Sequence, residues 1–395
     1  MAKKTIRDIE ANGKRVLVRV DFNVPLDIET GAITDDSRIK AALPTIKYLI
    51  DHNAKVILCS HLGRPDGKVV ETLRMAPVAK ALSKYVNTQV LTVPDCIGAE
   101  VEKTVQNLDN GQILLLENLR FYKEEEENLP DFSRALAKLA DIYVDDAFGT
   151  SHRSHSSTVG VAQYIPAVSG FLMEKELKTL GTLLDNPDHP FAALLGGAKV
   201  SDKIGLVENI LNKVDVLLIG GGMAAIFLKM NGYEIGHSPV EEDRFHVITR
   251  LNSMIKNNHV SLLLPVDAVV TDNINKQAAA EVVPISNIPP DKYIADMGPQ
   301  TVELFSNELK KCRTIFWNGP MGVYEIPQFS EGTKSIVKLL AQLDATTVIG
   351  GGSTAEIVNE MKLTDHMTHV STGGGASLKF LEGKTLPGVA ILQDK

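Results

Sequence analysis

The stretch FAALLGGAKVSDKIGL, residues 191–206, decides the reading of the fold. Its first five residues, 191–195, are continuously apolar, the pattern of a parallel strand covered on both faces. The run stops at Gly196 and Gly197, whose missing side chains let another group approach the backbone closely. Lys199 and Lys203 follow, four residues apart. A helix starting near Val200 puts both ammonium groups on one face of its first turn. Exposed amides, a helix N-terminus and two cations make a phosphate site. The same residues also describe a solvated helix carrying two lysines, so the rest of the chain has to decide.

Working outward, short β-rich runs alternate with longer helical patterns, as in parallel α/β layers. The first half has RVLVRVDF at 15–22, KVILCS at 55–60, QVLTVP at 89–94, QILLLEN at 112–118 and DIYVDDAF at 141–148. The second has FAALLGG, VDVLLIGGG at 214–222, SLLLPVDAVV at 261–270, TIFWNGP at 314–320, TTVIGGG at 346–352 and HVSTGGG at 369–375. Two similar halves therefore share one chain. The join falls in 165–190, where the helical stretch EKELKTLGTLL ends in DNPDHP. A helix between domains is a hinge element.

The chain has 395 residues, more than one core usually supports, with 44% hydrophobic and 23% charged residues. A net charge of -8 argues against nucleic acid or an anionic membrane as the main partner, and no apolar run is long enough for a transmembrane helix. Three scattered cysteines without a CxxC argue against a disulfide framework or structural zinc. His152 and His155 have HxxH spacing but no third ligand nearby in sequence. The four glutamates 124–127 read as a solvated helix start. A cytoplasmic location is expected.

In open parallel sheets ligands bind beyond the carboxyl ends of the strands. In the first half those positions hold Asp21, Asn23, His61, Arg64, Arg120 and Arg153, with Arg38 in the first crossover. Converging guanidiniums bind phosphate or carboxylate. In the second half they hold glycines instead: Gly196-Gly197, Gly220-Gly221-Gly222, Gly350-Gly351-Gly352 and Gly373-Gly374-Gly375. Such turns offer backbone N–H groups to phosphate or let an adenine lie flat. An anion site in one half and a nucleotide site in the other suit transfer between two anionic substrates across a cleft that closes.

The segments RVDFNVP (19–25), SHLGRP (60–65), ENLRF (117–121), DDAFGTSHRSHSS (145–157), LLGGAKVSDKI (194–204), WNGPMGVYE (317–325) and STGGGASLKFLEGKTLPGV (371–389) closely resemble the phosphoglycerate kinase family, in its order and over nearly the whole chain. The resemblance implies a monomer of two Rossmann-like α/β domains, each with a six-stranded parallel sheet flanked by helices, joined by a hinge helix. Residues 1–172 with 388–395 would bind phosphoglycerate and residues 173–387 the nucleotide. The implied activity is reversible transfer of the acyl phosphate of 1,3-bisphosphoglycerate to Mg-ADP, giving 3-phosphoglycerate and ATP, in line and after domain closure.

The resemblance also assigns roles. Asp21, Asn23, Arg38, His61, Arg64, Arg120 and Arg153 would hold phosphoglycerate. Lys199 would follow the phosphoryl group, Lys203 would contact nucleotide phosphates, and Arg38, Lys199 and the Gly373–Gly374 amides would meet the developing charge. Gly220 and Gly221 would border adenine, Glu325 would take the ribose hydroxyls, and Asn318 and Pro320, with Gly350, Gly351, Gly352, Ser353 and Thr354, would line the pocket. One position departs: Ser353 stands where the family usually has an Asp that helps hold the nucleotide's magnesium, so no metal ligand is assigned. A hydroxyl is a weaker partner for a hard cation, and Ser353 or Thr354 is expected to cap the following helix.

Other readings fit less of the chain. Gly220-Gly-Gly222-Met-Ala-Ala225 matches a dinucleotide fingerprint, with Glu241 in place of its acidic residue, but leaves the arginines unexplained. The GKT at 383–385 has Leu378 where a P-loop needs glycine. A nucleotide sensor on the same fold is favoured by Ser353 and opposed by intact Arg38, Lys199 and Lys203.

Overall fold

The computed structural model describes residues 2–27 and 29–395. Two compact units emerge: the first runs to Lys178 and takes in Thr385–Lys395, and the second spans Thr179–Lys384. The boundary lies inside the helix Phe171–Asp185.

The first unit is built on β1 (Arg15–Arg19), β2 (Lys55–Cys59), β3 (Val90–Thr92), β4 (Ile113–Leu115), β5 (Ile142–Asp145) and β6 (Ala167–Ser169). They form one sheet in the order β3-β4-β2-β1-β5-β6, every pair parallel. Val16 and Val18 stand beside Val56 and Leu58, and these in turn beside Ile113 and Leu115, so alternate residues share one face. The helix Ser37–Asp51 covers that face with Ile39, Ala42, Ile46 and Leu49, spaced at three and four residues. Each fully buried aliphatic side chain there contributes roughly 1.5–3 kcal/mol. The C-terminal segment is tied in: Lys4 N donates to Gln393 O at 2.8 Å, Gln393 N to Ala167 O at 3.0 Å, and Lys3 pairs with Asp394 at 2.8 Å.

In the second unit β7 (Phe191–Leu195), β8 (Val216–Ile219), β9 (Ser261–Leu263), β10 (Asp267–Thr271), β11 (Glu281–Pro284), β12 (Tyr293–Met297), β13 (Thr314–Asn318), β14 (Thr346–Gly350) and β15 (His369–Val370) form two sheets. The main one is parallel, ordered β15-β14-β13-β7-β8-β9. A three-stranded antiparallel sheet, β11-β10-β12, lies apart from it. The fully buried Trp317 anchors the core, its indole donating to Gly319 O at 2.7 Å.

Several expectations need correcting. SLLLPVDAVV is not one strand: Pro265 lacks an N–H, and the run divides into β9 and β10 in different sheets. The first half has a further strand, β6, inside the presumed join, and β11 and β12 had no apolar run to reveal them. The glutamate run does open a short helix, Lys123–Glu126, with Glu124, Glu126 and Glu127 exposed, but Glu125 departs from the expectation at 1% exposed.

In each main sheet two neighbouring strands send their connections toward opposite edges, β1 and β5 in the first and β7 and β13 in the second. Ligand crevices open at the carboxyl ends of strands at such points.

Candidate active site

At the carboxyl edge of the first sheet the cationic residues gather. Arg38, on the helix Ser37–Asp51, donates from Nη1 to Asp21 Oδ2 just after β1. Asn23 Oδ1 accepts the Gly63 amide at 2.9 Å, and Arg120 Nη1 donates to Gly63 O at 2.9 Å. One turn, 61–64, is thus held from two sides. Asn118, fully buried, keeps that turn in place, accepting from the Leu62 and Arg120 amides at 3.1 Å and donating to Leu62 O at 2.8 Å. His61 is 5% exposed, and burial, then the charges of Arg19, Arg120, Arg38 and Arg153, push its pKa well below the usual value. His155 is lowered to about 4, by burial first and then by Arg120, Arg19 and Arg153.

Arg120 is compensated by Glu126 at 3.3 Å and Arg38 by Asp21. Arg153 and the exposed Arg64 have no carboxylate partner among the described residues. A surplus of positive charge beside a neutral buried imidazole is what an anionic ligand of several charges requires. His152 and His155 belong to no cluster of three metal-ligating side chains among the described residues.

In the second unit the turn after β7 differs from expectation. The helix is Ile204–Ile210 and Lys203 is its N-cap, so the two lysines sit in the preceding turn rather than on a helical face. Lys199 is exposed. Lys203 is 8% exposed, and burial lowers its pKa. A Cβ on Gly197, where φ is +94°, would stand 3.3 Å from Lys203 Nζ. The ammonium therefore lies over the glycine turn.

Most of the neighbouring glycines are explained by each other. A Cβ on Gly196 would meet Pro320 O at 2.2 Å, and one on Gly221 would meet the Gly197 amide nitrogen at 2.7 Å. The Gly220 amide donates to Leu195 O at 2.8 Å and the Gly221 amide to Met321 O at 3.1 Å. These N–H groups hold turns together and are not offered to a phosphate. Gly352 is different, having nothing within 4 Å of its would-be Cβ. Gly373 also spends its amide internally, on Ser371 Oγ at 3.1 Å. Beside β14, Asn318 is 2% exposed and its Nδ2 has no partner, although a Cβ on Gly351 would touch it at 2.9 Å. An orphaned buried donor facing a glycine turn marks a place where a ligand completes the bonding. Pro320 is half-buried and its carbonyl accepts the Gly197 amide at 2.9 Å, which ties it to the turn after β7, whereas Glu325 is exposed.

Comparison with known proteins closes the argument. A family model described as phosphoglycerate kinase matches residues 6–384. The chain belongs to the phosphoglycerate kinase family. It is 55% identical over 399 residues to the phosphoglycerate kinase of Dictyoglomus turgidum and 52% identical over 395 residues to that of Moorella thermoacetica, covering 100% of each chain. The solved phosphoglycerate kinase of Coxiella burnetii superposes with a TM-score of 0.88 at 41% identity, and that of Pyrococcus horikoshii with 0.83 at 34%, each covering 98% of both chains.

For a phosphoglycerate kinase the site contains residues that sequence reasoning passed over. Arg19 and Glu125 are buried behind the arginine edge, both bonded to Ser157. Arg19 was hidden because it reads as one more residue of a strand. Glu241 is no ribose ligand of a dinucleotide fold: it binds the turn after β7 through Ser201. Ser353 and Thr354 do not cap their helix, Gly352–Glu360, whose N-cap is Gly351. Thr354 Oγ1 accepts the Gly319 amide at 2.8 Å instead, and Ser353 is exposed.

Proposed function

We propose that the chain transfers the acyl phosphate of 1,3-bisphosphoglycerate to ADP, presented as its magnesium complex, giving 3-phosphoglycerate and ATP, and that it runs the reverse reaction equally directly. Residues 1–172 with 388–395 bind phosphoglycerate through Asp21, Asn23, Arg38, His61, Arg64, Arg120 and Arg153. Residues 173–387 bind nucleotide at Lys199, Lys203, Gly220, Gly221, Asn318, Pro320, Glu325 and Gly350 to Thr354. The enzyme works as a cytoplasmic monomer; no helix among the described residues is long and apolar enough to cross a membrane.

The observation that carries this reading is the surplus of guanidinium charge around a neutral His61 at one sheet edge, with a desolvated Lys203 over a glycine turn at the other. Transfer spreads negative charge over the equatorial oxygens of the phosphoryl group, so the enzyme's task is positioning and electrostatic stabilisation. The 3-phosphoglycerate carboxylate is already ionised at neutral pH and needs no base. Lys199 and Arg38 meet the developing charge from the two units. Closure brings the substrates into line, because neither unit carries both sets of residues. Magnesium arrives with the nucleotide: no group of three His, Cys, Asp or Glu among the described residues forms a cage for it.

The test is a coupled assay of ATP formation from 1,3-bisphosphoglycerate and ADP, comparing wild type with Lys199→Ala. Magnesium-dependent turnover in the wild type that falls at least about a hundredfold in the variant is expected. Nucleotide binding without turnover in the wild type would move the reading to a sensor.

A further inference from the structure

His61 follows β2, and its Nδ1 lies 3.0 Å from Nη2 of Arg19 on β1. A guanidinium has only donors, so this contact runs one way: Arg19 donates and His61 Nδ1 accepts. A ring nitrogen that accepts carries no proton. The imidazole is therefore neutral, with its proton on Nε2, and Nε2–H is its only donor.

Arg19 is itself held rigidly. It is 1% exposed, its Nε donates to Ser157 Oγ at 2.9 Å, and its Nη1 donates to the Val20 carbonyl. The Ser157 hydroxyl in turn donates to Glu125 Oε1 at 2.5 Å, and the Ser157 amide to Oε2 at 2.9 Å. A buried chain thus runs from Glu125 through Ser157 and Arg19 to His61. The groups facing the imidazole are the cations Arg19, Arg120, Arg38 and Arg153. A second proton on the ring would add a like charge to that cluster.

We propose that Arg19 is a positioning residue that selects the Nε2–H tautomer of His61, so that a phosphoglycerate oxygen meets one fixed neutral donor among the arginines. The proposal rests on reading this edge as the phosphoglycerate site. Without Arg19 both tautomers become accessible, and in the wrong one the ring turns a lone pair toward an anion.

Nitrogen-15 NMR of the full-length protein labelled at histidine tests this directly, with the His61 signals assigned by their loss in His61→Gln. The expected wild-type ring has an unprotonated Nδ1 and a protonated Nε2 from about pH 6 to about pH 8. A proton on Nδ1, or a cationic ring, overturns the role of Arg19 and needs no variant that has to fold. In Arg19→Met the two tautomers mix, and KM for 3-phosphoglycerate rises about tenfold while KM for ATP changes by less than about twofold. Equal rises in both constants would mark a merely structural role and overturn the proposal. His61→Gln, whose amide nitrogen reaches the Nε2 position, keeps more phosphoglycerate affinity than His61→Asn, and the reverse order counts against it. Addition of 3-phosphoglycerate should move the Nε2–H resonance. If that resonance stays still while the tautomer is as stated, the binding reading fails and Arg19 has no substrate to position.

Discussion

Glu241 grips Ser201 at two points, Oε2 accepting its amide at 3.0 Å and Oε1 its hydroxyl at 2.5 Å. Ser201 lies between Lys199 and Lys203, so this carboxylate braces the turn that carries both cations. Burial would raise its pKa, but the Ser201 bonds and the Val200 amide outweigh that and hold it low, keeping the brace charged at neutral pH. In Glu241→Ala the turn loosens and the lysines lose their fixed aim. We expect kcat to fall about tenfold with KM for 3-phosphoglycerate unchanged. Steady-state kinetics with each substrate varied in turn decides it; an unaltered kcat would show that the turn keeps its shape unaided.

The glycines of the second unit divide into two kinds, and alanine substitution separates them. Gly196→Ala drives a methyl into the Pro320 carbonyl, and Gly221→Ala does the same to the Gly197 backbone at a φ of +60°. Each should cost more than about 2 kcal/mol of stability. Gly352→Ala meets no neighbour at a position where the helix begins, so the fold should keep its melting temperature. A nucleotide affinity lost in Gly352→Ala then reports contact with the ligand itself. Thermal melts and ADP titration of the three variants give the answer, and an unchanged ADP affinity in Gly352→Ala removes that residue from the site.

How legible this was in the sequence can be judged from particular residues. The parallel runs announced themselves, because strands buried on both faces are apolar throughout, as 191–195 are. β11 did not, since three of its four residues are exposed and nothing in its composition distinguishes it from a loop. The arginine edge was visible as residues following strands, but Arg19 sits within a strand and acts through a partner 42 positions away. Glycine triplets looked like ligand cradles, whereas close packing of adjacent turns accounts for several of them. Sequence order shows which residues reach an edge. It does not show which amides are already taken.

Asp145 and Asp146, at the end of β5, are both fully buried, and burial raises the pKa of each to about 7. Asp146 Oδ1 accepts the Leu172 amide at 2.9 Å and the Met173 amide at 3.2 Å, holding the start of the helix Phe171–Asp185. A folded-state value above the unfolded one means that the native protein keeps protons the unfolded chain has lost. The stabilisation is complete below about pH 4 and disappears as pH rises through about 7. The ceiling is about 4 kcal/mol per carboxyl. Urea unfolding at about pH 5 and about pH 8 should show the wild type weaker at the higher pH, and Asp146→Asn, which keeps its accepting oxygen, should lose less. Asp145, and Asp296, also raised to about 7 by burial, stay in that variant and leave a residual slope. Identical slopes in the two proteins would mean that Asp146 is ionised throughout.

Ser353 offers the last test, because it lies exposed in the first turn of the helix Gly352–Glu360 and contributes only a hydroxyl. Under the proposed function magnesium would come bound to the nucleotide phosphates and water, and a carboxylate at this position would add a hard, charged ligand. Ser353→Asp is therefore expected to lower the magnesium concentration for half-maximal rate several-fold. The new charge also meets the positive end of the helix, which favours the variant's fold by about 0.3–1 kcal/mol. A gain in melting temperature and a gain in magnesium response are thus separate consequences, and only the second concerns the metal. Rates measured across a magnesium titration at fixed total ADP distinguish them: a variant that melts higher but follows the wild-type magnesium curve has a better helix and no new ligand.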